Sequence, residues 1–384
     1  MKPQVNNMHK YTVTIMIICL AVLISSCTED CPVCPGPSAP YKGWLFASDW
    51  RHKTEQIYKI DIETDSIVDS VSYRPEGAEK NHCTSYIEAS DDGRYLVVGY
   101  FERYAIDGFT RVYDPQTLEV ITDFEPKIDP IFVTDENILI GLSAVHRKLY
   151  IYDLPGFSLI WEDSIGHAYD PEVDEKNGLI YLNGCKQPAS DDSTFIMVYD
   201  YRNRKVVREY FLTDDYGDTY GFRHFDVRSN GESVLFLGFS FYEPYALYEM
   251  DLQTGELIDT SMQLYSANGD MKLTPDEEHI YVTDPNWPTQ VTFTGTLYIL
   301  DGDDLSYEHG ISLFGYGTDH PLVPIPAYNM IFTPTGEKCY VASGNVANSG
   351  GHILVIDTYS QQIVNTIGDE FEHLIGLFTI CPKR

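Results

Sequence analysis

Positive charge is scarce in this sequence. Its 384 residues include 26 lysines and arginines against 58 aspartates and glutamates, which gives a formal net charge of −32. A surface of that sign repels nucleic acids, anionic lipids and polyanionic glycans at long range. The composition therefore favours neutral, cationic or metal-bearing partners, and excludes nucleic acid as the natural partner. Solubility outside a cell explains the charge equally well without any partner.

The local motifs of catalysis and metal binding are also missing. No Gly-x-Ser-x-Gly nucleophile elbow occurs. The one Cys-x-x-Cys, formed by Cys31 and Cys34, lacks the second pair that a zinc site requires. The Asp-rich segments 191–192, 214–215 and 301–304 lack the distal glutamate of a calcium loop, so we interpret them as solvated turns. No local spacing identifies a reaction.

What the sequence has instead is a repeated apolar strand that ends at an aspartate, as in Thr296-Leu-Tyr-Ile-Leu-Asp301. The copies end at Asp61, Asp114, Asp153, Asp200, Asp251, Asp301 and Asp357, which are 39 to 56 residues apart. A period near 50 built from short strands, with no helical pattern between them, predicts an all-β, seven-bladed β-propeller. We interpret each aspartate as a turn residue whose side chain accepts hydrogen bonds from nearby backbone amides.

Each repeat has an inner strand, a turn, a second strand, the strand that ends in aspartate, and an edge strand. Residues 89–99 show the first part of this order, and residues 333–342, 353–357 and 362–367 show all of it. These blades resemble YVTN-type propellers over about residues 43 to 380, which implies a seven-bladed disc. The first blade lacks an inner strand and the final strand, 374–380, lacks a partner. We therefore expect the final strand to complete the first blade and close the ring. The third blade, 131–160, has the least regular register.

The N-terminus predicts export. Lys2 and Lys10 precede an apolar run over residues 11–24, which is too short to span a membrane and is typical of a signal peptide over residues 1–26. Leu23-Ile-Ser-Ser-Cys27 resembles a bacterial lipobox, which implies lipidation of Cys27; ordinary secretion with a free Cys27 thiol is the alternative. Residues 28–30, Thr-Glu-Asp, resemble the surface-export signal of Bacteroidetes lipoproteins, which implies an outer-membrane, cell-surface location.

Removal of residues 1–26 would raise the net negative charge to −34. A Pro-rich tether over residues 27–42 would then precede a propeller over residues 43–381. An oxidising location permits disulfides but the sequence does not assign their partners. The remaining cysteines are Cys31 and Cys34 in the tether and Cys83, Cys185, Cys339 and Cys381 in the propeller.

Aromatic residues are frequent in the segments that we expect on one face, the top face, where the inner strands begin. Aromatic side chains in mobile loops are not required by a core and offer flat surfaces for stacking on a sugar or macrocycle. Packing of these loops onto the disc is the alternative. The candidate ligand-binding residues are Trp50, Tyr100, Phe101, Tyr104, Tyr216, Tyr220, Phe241, Tyr242, Trp287 and Tyr316.

The inner strands predict a second, polar region around the central channel. One side of each strand is apolar and should pack between blades, and the other side should face the channel. A ring of imidazoles and carboxylates there could hold a divalent metal or transfer a proton; a water-filled channel lined by satisfied polar groups is the alternative. The candidate funnel residues are Tyr86, Asp170, His224, Asp226, Asp270 and Asn329, with Glu88, Glu172 and Lys272 on the same side.

Three functions are compatible with these observations. The first is a non-catalytic capture protein that takes a corrinoid or a glycan through its top face and passes it to an outer-membrane transporter. The resemblance in architecture and location to the cobalamin-capturing surface propellers of gut Bacteroidetes implies this function, although no ligand-contact residue is matched. The second is a propeller enzyme of lactonase or lyase type that uses the funnel, and the third is a protein-binding scaffold or adhesin.

Overall fold

The structure is a computed structural model. It describes residues 40–49, 56–72, 82–102, 108–124, 128–143, 146–185, 194–211, 221–239, 246–261, 270–284, 296–313, 327–344, 351–368, 371 and 375–384. Residues from Tyr41 to Arg384 belong to one compact unit. Among the described residues, no helix is long and apolar enough to cross a membrane.

The described strands form seven four-stranded antiparallel sheets, the blades of a β-propeller. Blade 1 contains β28 (Ile375–Pro382), β1 (Gly43–Asp49), β2 (Gln56–Asp61) and β3 (Ser66–Ser72). Blade 2 contains β4 (His82–Ala89), β5 (Leu96–Glu102), β6 (Gly108–Tyr113) and β7 (Val120–Phe124). Blade 3 contains β8 (Asp129–Val133), β9 (Ile138–Ser143), β10 (Lys148–Asp153) and β11 (Ser158–Ser164).

The other four blades follow the same order from the inner to the outer strand. Blade 4 contains β12 (His167–Asp174), β13 (Leu179–Cys185), β14 (Thr194–Asp200) and β15 (Lys205–Phe211). Blade 5 contains β16 (Gly221–Val227), β17 (Ser233–Phe239), β18 (Ala246–Asp251) and β19 (Leu257–Thr260). Blade 6 contains β20 (Met271–Leu273), β21 (His279–Asp284), β22 (Thr296–Asp301) and β23 (Tyr307–Ser312). Blade 7 contains β24 (Ala327–Phe332), β25 (Lys338–Gly344), β26 (Gly351–Asp357) and β27 (Gln362–Ile367).

The hydrophobic core is a ring of seven clusters, each made by two neighbouring blades. The third strands are mostly apolar and are covered on both faces by neighbouring blades, so β2, β10 and β22 are buried along their four central residues. The inner strands alternate as predicted. Ile87, Phe225, Met271 and Met330 all lie in inter-blade clusters.

The repeated aspartate is confirmed as a turn residue in all seven blades. Asp61 accepts a hydrogen bond from the backbone amide of Glu63 at 2.8 Å, and Asp114 accepts one from Gln116 at 2.7 Å. The other five accept equivalent bonds from amides two or three residues further along the chain. Asp301 accepts the amides of Asp303 and Asp304, so segment 301–304 is a turn, as predicted.

The predicted closure of the ring is also confirmed. β28 pairs antiparallel with β1 from Gly43–Pro382 to Ser48–Leu377, and it completes blade 1 as the inner strand. Phe378 of this strand packs in the cluster shared with blade 7, and Cys381 packs in the cluster shared with blade 2. Blade 3, the blade with the least regular sequence pattern, is a four-stranded sheet with register shifts between β8 and β9 and between β10 and β11.

The antiparallel order separates the connections into two faces. The turns between first and second strands and between third and fourth strands are four to six residues long, and they lie at one end of the blades, the bottom face. The connections between second and third strands and between blades lie at the opposite end, the top face. The aromatic segments 103–107, 212–220, 240–245, 285–295 and 314–326 are all connections of this second kind.

We predict that a chain ending at residue 374 does not fold cooperatively. It would lose β28 and its contributions to two core clusters, and loss of even one large buried side chain typically costs about 2–5 kcal/mol against a total stability of about 5–15 kcal/mol. Thermal unfolding followed by circular dichroism tests this. Deletion of the exposed Arg384 alone is the control and should leave the melting temperature unchanged. A truncated chain that melts like the full chain would refute the closure.

Candidate functional site

The candidate site is the central channel that the seven inner strands surround. Ile87 and Ala89 on β4 pack against blade 1, so Glu88, which lies between them, faces the opposite way, toward the channel. The same alternation places one residue per blade at this level of the channel. These channel residues are Glu88, Phe132, Glu172, Asp226, Lys272, Ile331 and Thr379.

An ion pair joins two blades that are not direct neighbours. Lys272 Nζ on β20 lies 3.2 Å from Glu172 Oε2 on β12, although blade 5 separates their two blades in the ring. About a third of each side chain is exposed. The contact therefore confirms that both residues face the channel, where Lys272 is the positive charge among several carboxylates.

The channel changes the protonation of these groups. Burial raises the pKa of Glu172 to about 7; Asp226 and Asp270 add to this shift, and Lys272 opposes it. Burial would lower the pKa of Lys272, but attraction by Glu172, Asp226 and Asp270 outweighs it and raises that pKa above its ordinary value. Burial raises the pKa of Glu88 well above the ordinary value, and repulsion by Asp91 and Glu172 adds to the effect. The lysine ammonium is therefore the group that keeps its charge most firmly.

Two predicted funnel aspartates bind the backbone of the next blade. Asp226 Oδ2 on β16 accepts the amide of Leu273 on β20 at 2.9 Å. Asp270 Oδ2, just before β20, accepts the amide of Met330 on β24 at 2.9 Å. An inner strand has no sheet partner on its channel side, so these amides need acceptors from elsewhere. The carboxylates supply them and connect blades 5, 6 and 7.

Blade 1 contains a neutral equivalent of this contact. Thr379 Oγ1 on β28 accepts the amide of Ala89 on β4 at 3.1 Å. Thr379 and Asp226 occupy the same position in their blades, and so do Ala89 and Leu273. The repetition indicates that the contact is part of the architecture of the ring.

His224 and Asp270 form the second close pair in the channel. His224 Nδ1 lies 3.4 Å from Asp270 Oδ1, with the histidine one third exposed and the aspartate side chain 7% exposed. His224 has φ of 43° where the pairing of β16 with β17 shifts register, so a β-bulge directs its side chain. Burial raises the pKa of Asp270, while His224 and Lys272 oppose the shift. An imidazole held by a buried carboxylate is an arrangement that can move a proton.

The other predicted funnel residues are only partly defined. Tyr86 and Asn329 lie half-buried on β4 and β24. The backbone of Asp170 lies in β12 where that strand shifts register, and its side chain is outside the described residues. The structure thus brings His224, Asp226 and Asp270 together and does not test Asp170.

The side chains described at the channel do not form a three-ligand metal site. Within the described part of the chain, the one such group is Asp91, Asp135 and Glu175, whose carboxylate oxygens lie within 4.8 Å of one another at the bottom face. Glu175 Oε1 also accepts the amide of Asp135 at 2.9 Å, which occupies part of this donor set. Sequence reasoning missed the group, although the same turn position in blades 2, 3 and 4 carries an acid each time.

The aromatic top-face candidates are mostly untested by this structure. Tyr100 is the exception: it is fully buried in the cluster between blades 1 and 2, and its hydroxyl lies 2.9 Å from that of Tyr113. Tyr100 is therefore a core residue and is not available for stacking. The side chains that lie outside the described residues are Trp50, Phe101, Tyr104, Tyr216, Tyr220, Phe241, Tyr242, Trp287 and Tyr316, together with Cys27.

The described cysteines are buried free thiols. Cys339 and Cys381 have no disulfide partner, and burial raises the pKa of Cys339 well above its ordinary value and that of Cys381 to about 12. The thiolate is the nucleophilic form, so these two residues are inert core residues. Cys31, Cys34 and the side chains of Cys83 and Cys185 are outside the described residues.

Fold and channel define the chain as a seven-bladed β-propeller with a charged central channel. No protein-family model and no curated protein matches the sequence. Solved structures share the fold. The dihydro-heme d1 dehydrogenase NirN, in complex with DHE, has a TM-score of 0.55 and 10% identity over 89% of this chain and 75% of its own.

Two further structures are similar at the same level. The β-propeller domain of Cps50 (Swd1) from Myceliophteria thermophila has a TM-score of 0.55 and 15% identity over 77% of this chain and 89% of its own. The hydrazine synthase of Kuenenia stuttgartiensis has a TM-score of 0.53 and 17% identity over 72% of this chain and 76% of its own. At these identities the likeness shows the propeller fold and carries no function.

We predict that Glu172 makes the protein less stable as the pH rises from about 4.5 to about 7. Its ordinary pKa is 4.5 and its folded pKa about 7, so in this range the unfolded state releases the proton more readily and gains stability. Glu172→Gln should therefore lose less stability than the wild type over this range, as measured by urea unfolding at each pH.

Glu63→Gln is the control for this experiment. Hydrogen bonds from Lys383 and Lys42 lower the pKa of Glu63, so its removal should not reduce the decline in stability. Equal pH dependence in the wild type and Glu172→Gln would show that the carboxyl of Glu172 has no raised pKa.

Proposed function

We propose that this protein is a lipid-anchored, cell-surface ligand-capture protein. Its top face binds a corrinoid such as cobalamin, or a glycan, and delivers it to an outer-membrane transporter. The resemblance of the blades to YVTN-type propellers and the N-terminal pattern that ends at Cys27 support this proposal.

The contrast between the two faces is the observation that carries the proposal. The bottom-face turns of four to six residues are held by short-range side-chain contacts, most of them to an aspartate or a hydroxyl, as at Asp114 and Thr274. The longer connections, which contain Trp287, Tyr242 and Tyr316 and lie outside the described residues, follow second or fourth strands, whose described ends lie at the top face. Binding residues lie more often on loops that a rigid scaffold positions than on the scaffold itself.

The contacts of the channel support a non-catalytic function. Asp226 and Asp270 are committed to backbone amides of the next blade, and Lys272 is paired with Glu172. These groups hold the inner strands in place. The proposed binding site therefore lies above the channel on the top face.

We expect Cys27→Ala to leave the protein without its lipid, because Cys27 directly follows the apolar run and two small residues. In detergent phase partitioning the variant should move to the aqueous phase. Cys31→Ala is the matched control and should stay in the detergent phase. Equal detergent partitioning of the wild type and Cys27→Ala would contradict lipidation at Cys27.

We expect the double variant Tyr242→Ala Trp287→Ala to bind ligand at least about tenfold more weakly. It should melt within a few degrees of the wild type, because in this proposal the two side chains contact the ligand and do not form a core. Calorimetric titration with cobalamin and with a glycan panel measures the first quantity, and thermal unfolding the second.

Tyr100→Ala is the matched control for an aromatic residue that is part of the core. It should melt far lower, since truncation of a fully buried aromatic residue typically costs about 3–5 kcal/mol. A double variant that melts as low as Tyr100→Ala would show that Tyr242 and Trp287 are core residues of their loops. A wild type that binds neither ligand class, or a stable double variant with unchanged affinity, would contradict the proposal.

An enzyme that uses the channel is the second candidate, and the His224–Asp270 pair favours it. The two side chains are 3.4 Å apart, and His224 is one third exposed. In this proposal Asp270 orients the imidazole and His224 acts as general base, with or without a divalent metal. Bound metal that disappears in a His224→Ala Asp270→Ala variant, measured by elemental analysis, would favour the enzyme over capture.

A further inference from the structure

The turn between third and fourth strands is built in the same way in every blade. The fourth residue after the repeated aspartate always has a positive φ, between 49° and 79°. In blades 1, 2, 3, 4 and 6 its side chain contacts the preceding blade and so covers the groove between the two. Asp65 bonds to Lys338 and Tyr340 of blade 7 at 2.7–2.8 Å, and Phe157 packs edge-on against Tyr95 of blade 2.

The groove between blades 4 and 5 is the exception. Blade 5 has Gly255 at this position, with φ of 79°. A Cβ atom there would lie 3.1 Å from Cδ1 of Tyr210 on β15. The turn of blade 5 therefore places no side chain over the groove, although Arg208 of β15 reaches across it, and a cavity of about 550 Å³ lies against the same turn. Its floor is apolar and contains Tyr181, Tyr210 and Leu252. Two carboxylates also line it, but Asp251 accepts the turn amides of Gln253 and Thr254, and Glu232 accepts the side-chain amide of Asn230.

The cavity lies beside the outer segment of blade 4, which is basic, unlike the equivalent segments of the other six blades. In each of the seven blades, the structure describes the whole segment from the repeated aspartate to the end of the outer strand. Six contain no lysine or arginine. In blade 4, residues 200–211 contain four, all exposed: Arg202, Arg204, Lys205 and Arg208. Such a concentration is unexpected in a chain with a net charge of −32.

Arg208 brings this positive charge to the mouth of the cavity. Its Nη1 donates to the carbonyl oxygens of Leu252 at 2.7 Å and Gln253 at 2.8 Å, both in blade 5. These acceptors are neutral, and no described carboxylate forms an ion pair with Arg208. A fixed guanidinium that lacks an acidic partner can pair with a carboxylate from outside.

Exposed apolar residues surround the same place. Val207, which lines the cavity, is 52% exposed, and Val206 and Phe211 on β15 are 44% and 45% exposed. Ile258 on β19, across the groove, is 56% exposed. β15 also pairs with β14 alone, so its outer edge is open to a further strand.

We propose that the blade 4 edge, meaning residues 202–211 and the groove against Gly255, is a docking surface for an extended acidic peptide segment of a partner protein. Acidic side chains of the segment pair with Lys205 and Arg208, and one large apolar side chain enters the cavity. Charge complementarity selects an acidic partner, and the concave floor of tyrosine rings selects a side chain that projects from an extended strand. This surface is separate from the top face, so the proposal does not depend on the ligand that the top face binds.

The test uses a displayed library of random ten-residue peptides selected on the wild-type protein. Peptides enriched in aspartate or glutamate with one large apolar residue are expected. A synthetic peptide of the enriched sequence, labelled with a fluorophore, should bind in an anisotropy titration and weaken as salt is raised. Replacement of its apolar residue by alanine should weaken binding at least about tenfold.

Val207→Asp and Val364→Asp form a matched pair of variants. Val364 occupies the equivalent position on β27 and is 56% exposed, against 52% for Val207. Each substitution adds one negative charge to an outer strand at little cost to stability. Val207→Asp should lower the affinity for the peptide at least about tenfold, whereas Val364→Asp should leave that affinity unchanged.

Several outcomes would overturn the proposal. These are no enrichment, enriched peptides without acidic residues, or equal affinities of the two valine variants. Binding of the wild type to vesicles with anionic headgroups that is lost in Val207→Asp, without peptide binding, would assign the surface to a membrane instead.

Discussion

Every part of this structure depends on the packing of each blade against two neighbours. The third strands are covered on both faces, so an isolated blade would expose both faces to water, and an open row of blades would expose one face at each end. Closure of the row into a ring is the arrangement in which all seven interfaces are covered, and β28 makes it possible by completing blade 1. The ring then fixes where the inner strands, the channel and the two faces lie.

The channel follows from the same constraint. Inner strands have no sheet partner toward the axis, so some of their amides must find acceptors outside the ladder. Asp226, Asp270 and Thr379 provide these acceptors in three blades. Burial raises the pKa values of Glu172 and Glu88, repulsion between neighbouring carboxylates adds to the shift, and Lys272 opposes it. A polar channel that looks catalytic in the sequence is thus, at these residues, a structural feature of the ring.

The fold was predictable because its signals are local and repeated. Each of the seven aspartates accepts hydrogen bonds from amides two or three residues away. The alternation of apolar Ile87 and Ala89 with Glu88 indicates which side of β4 packs against the neighbouring blade. The site was less predictable because it depends on contacts between blades. The bulge that turns His224 toward Asp270 has no pattern in the sequence, and Tyr100, a plausible loop aromatic residue, is core because its strand extends further than expected. The groove at Gly255 is visible only when the turn positions are compared in three dimensions.

The central claim is that the channel carboxylates hold neighbouring blades together. Amide hydrogen exchange, resolved to single residues, tests it directly in Asp226→Ala and Asp270→Ala variants. The account predicts faster exchange at Leu273 in the first variant and at Met330 in the second, with little change in the corresponding asparagine variants, which keep an acceptor oxygen. Unchanged protection of both amides in the alanine variants would contradict it, and the channel would then have to be explained by catalysis or binding.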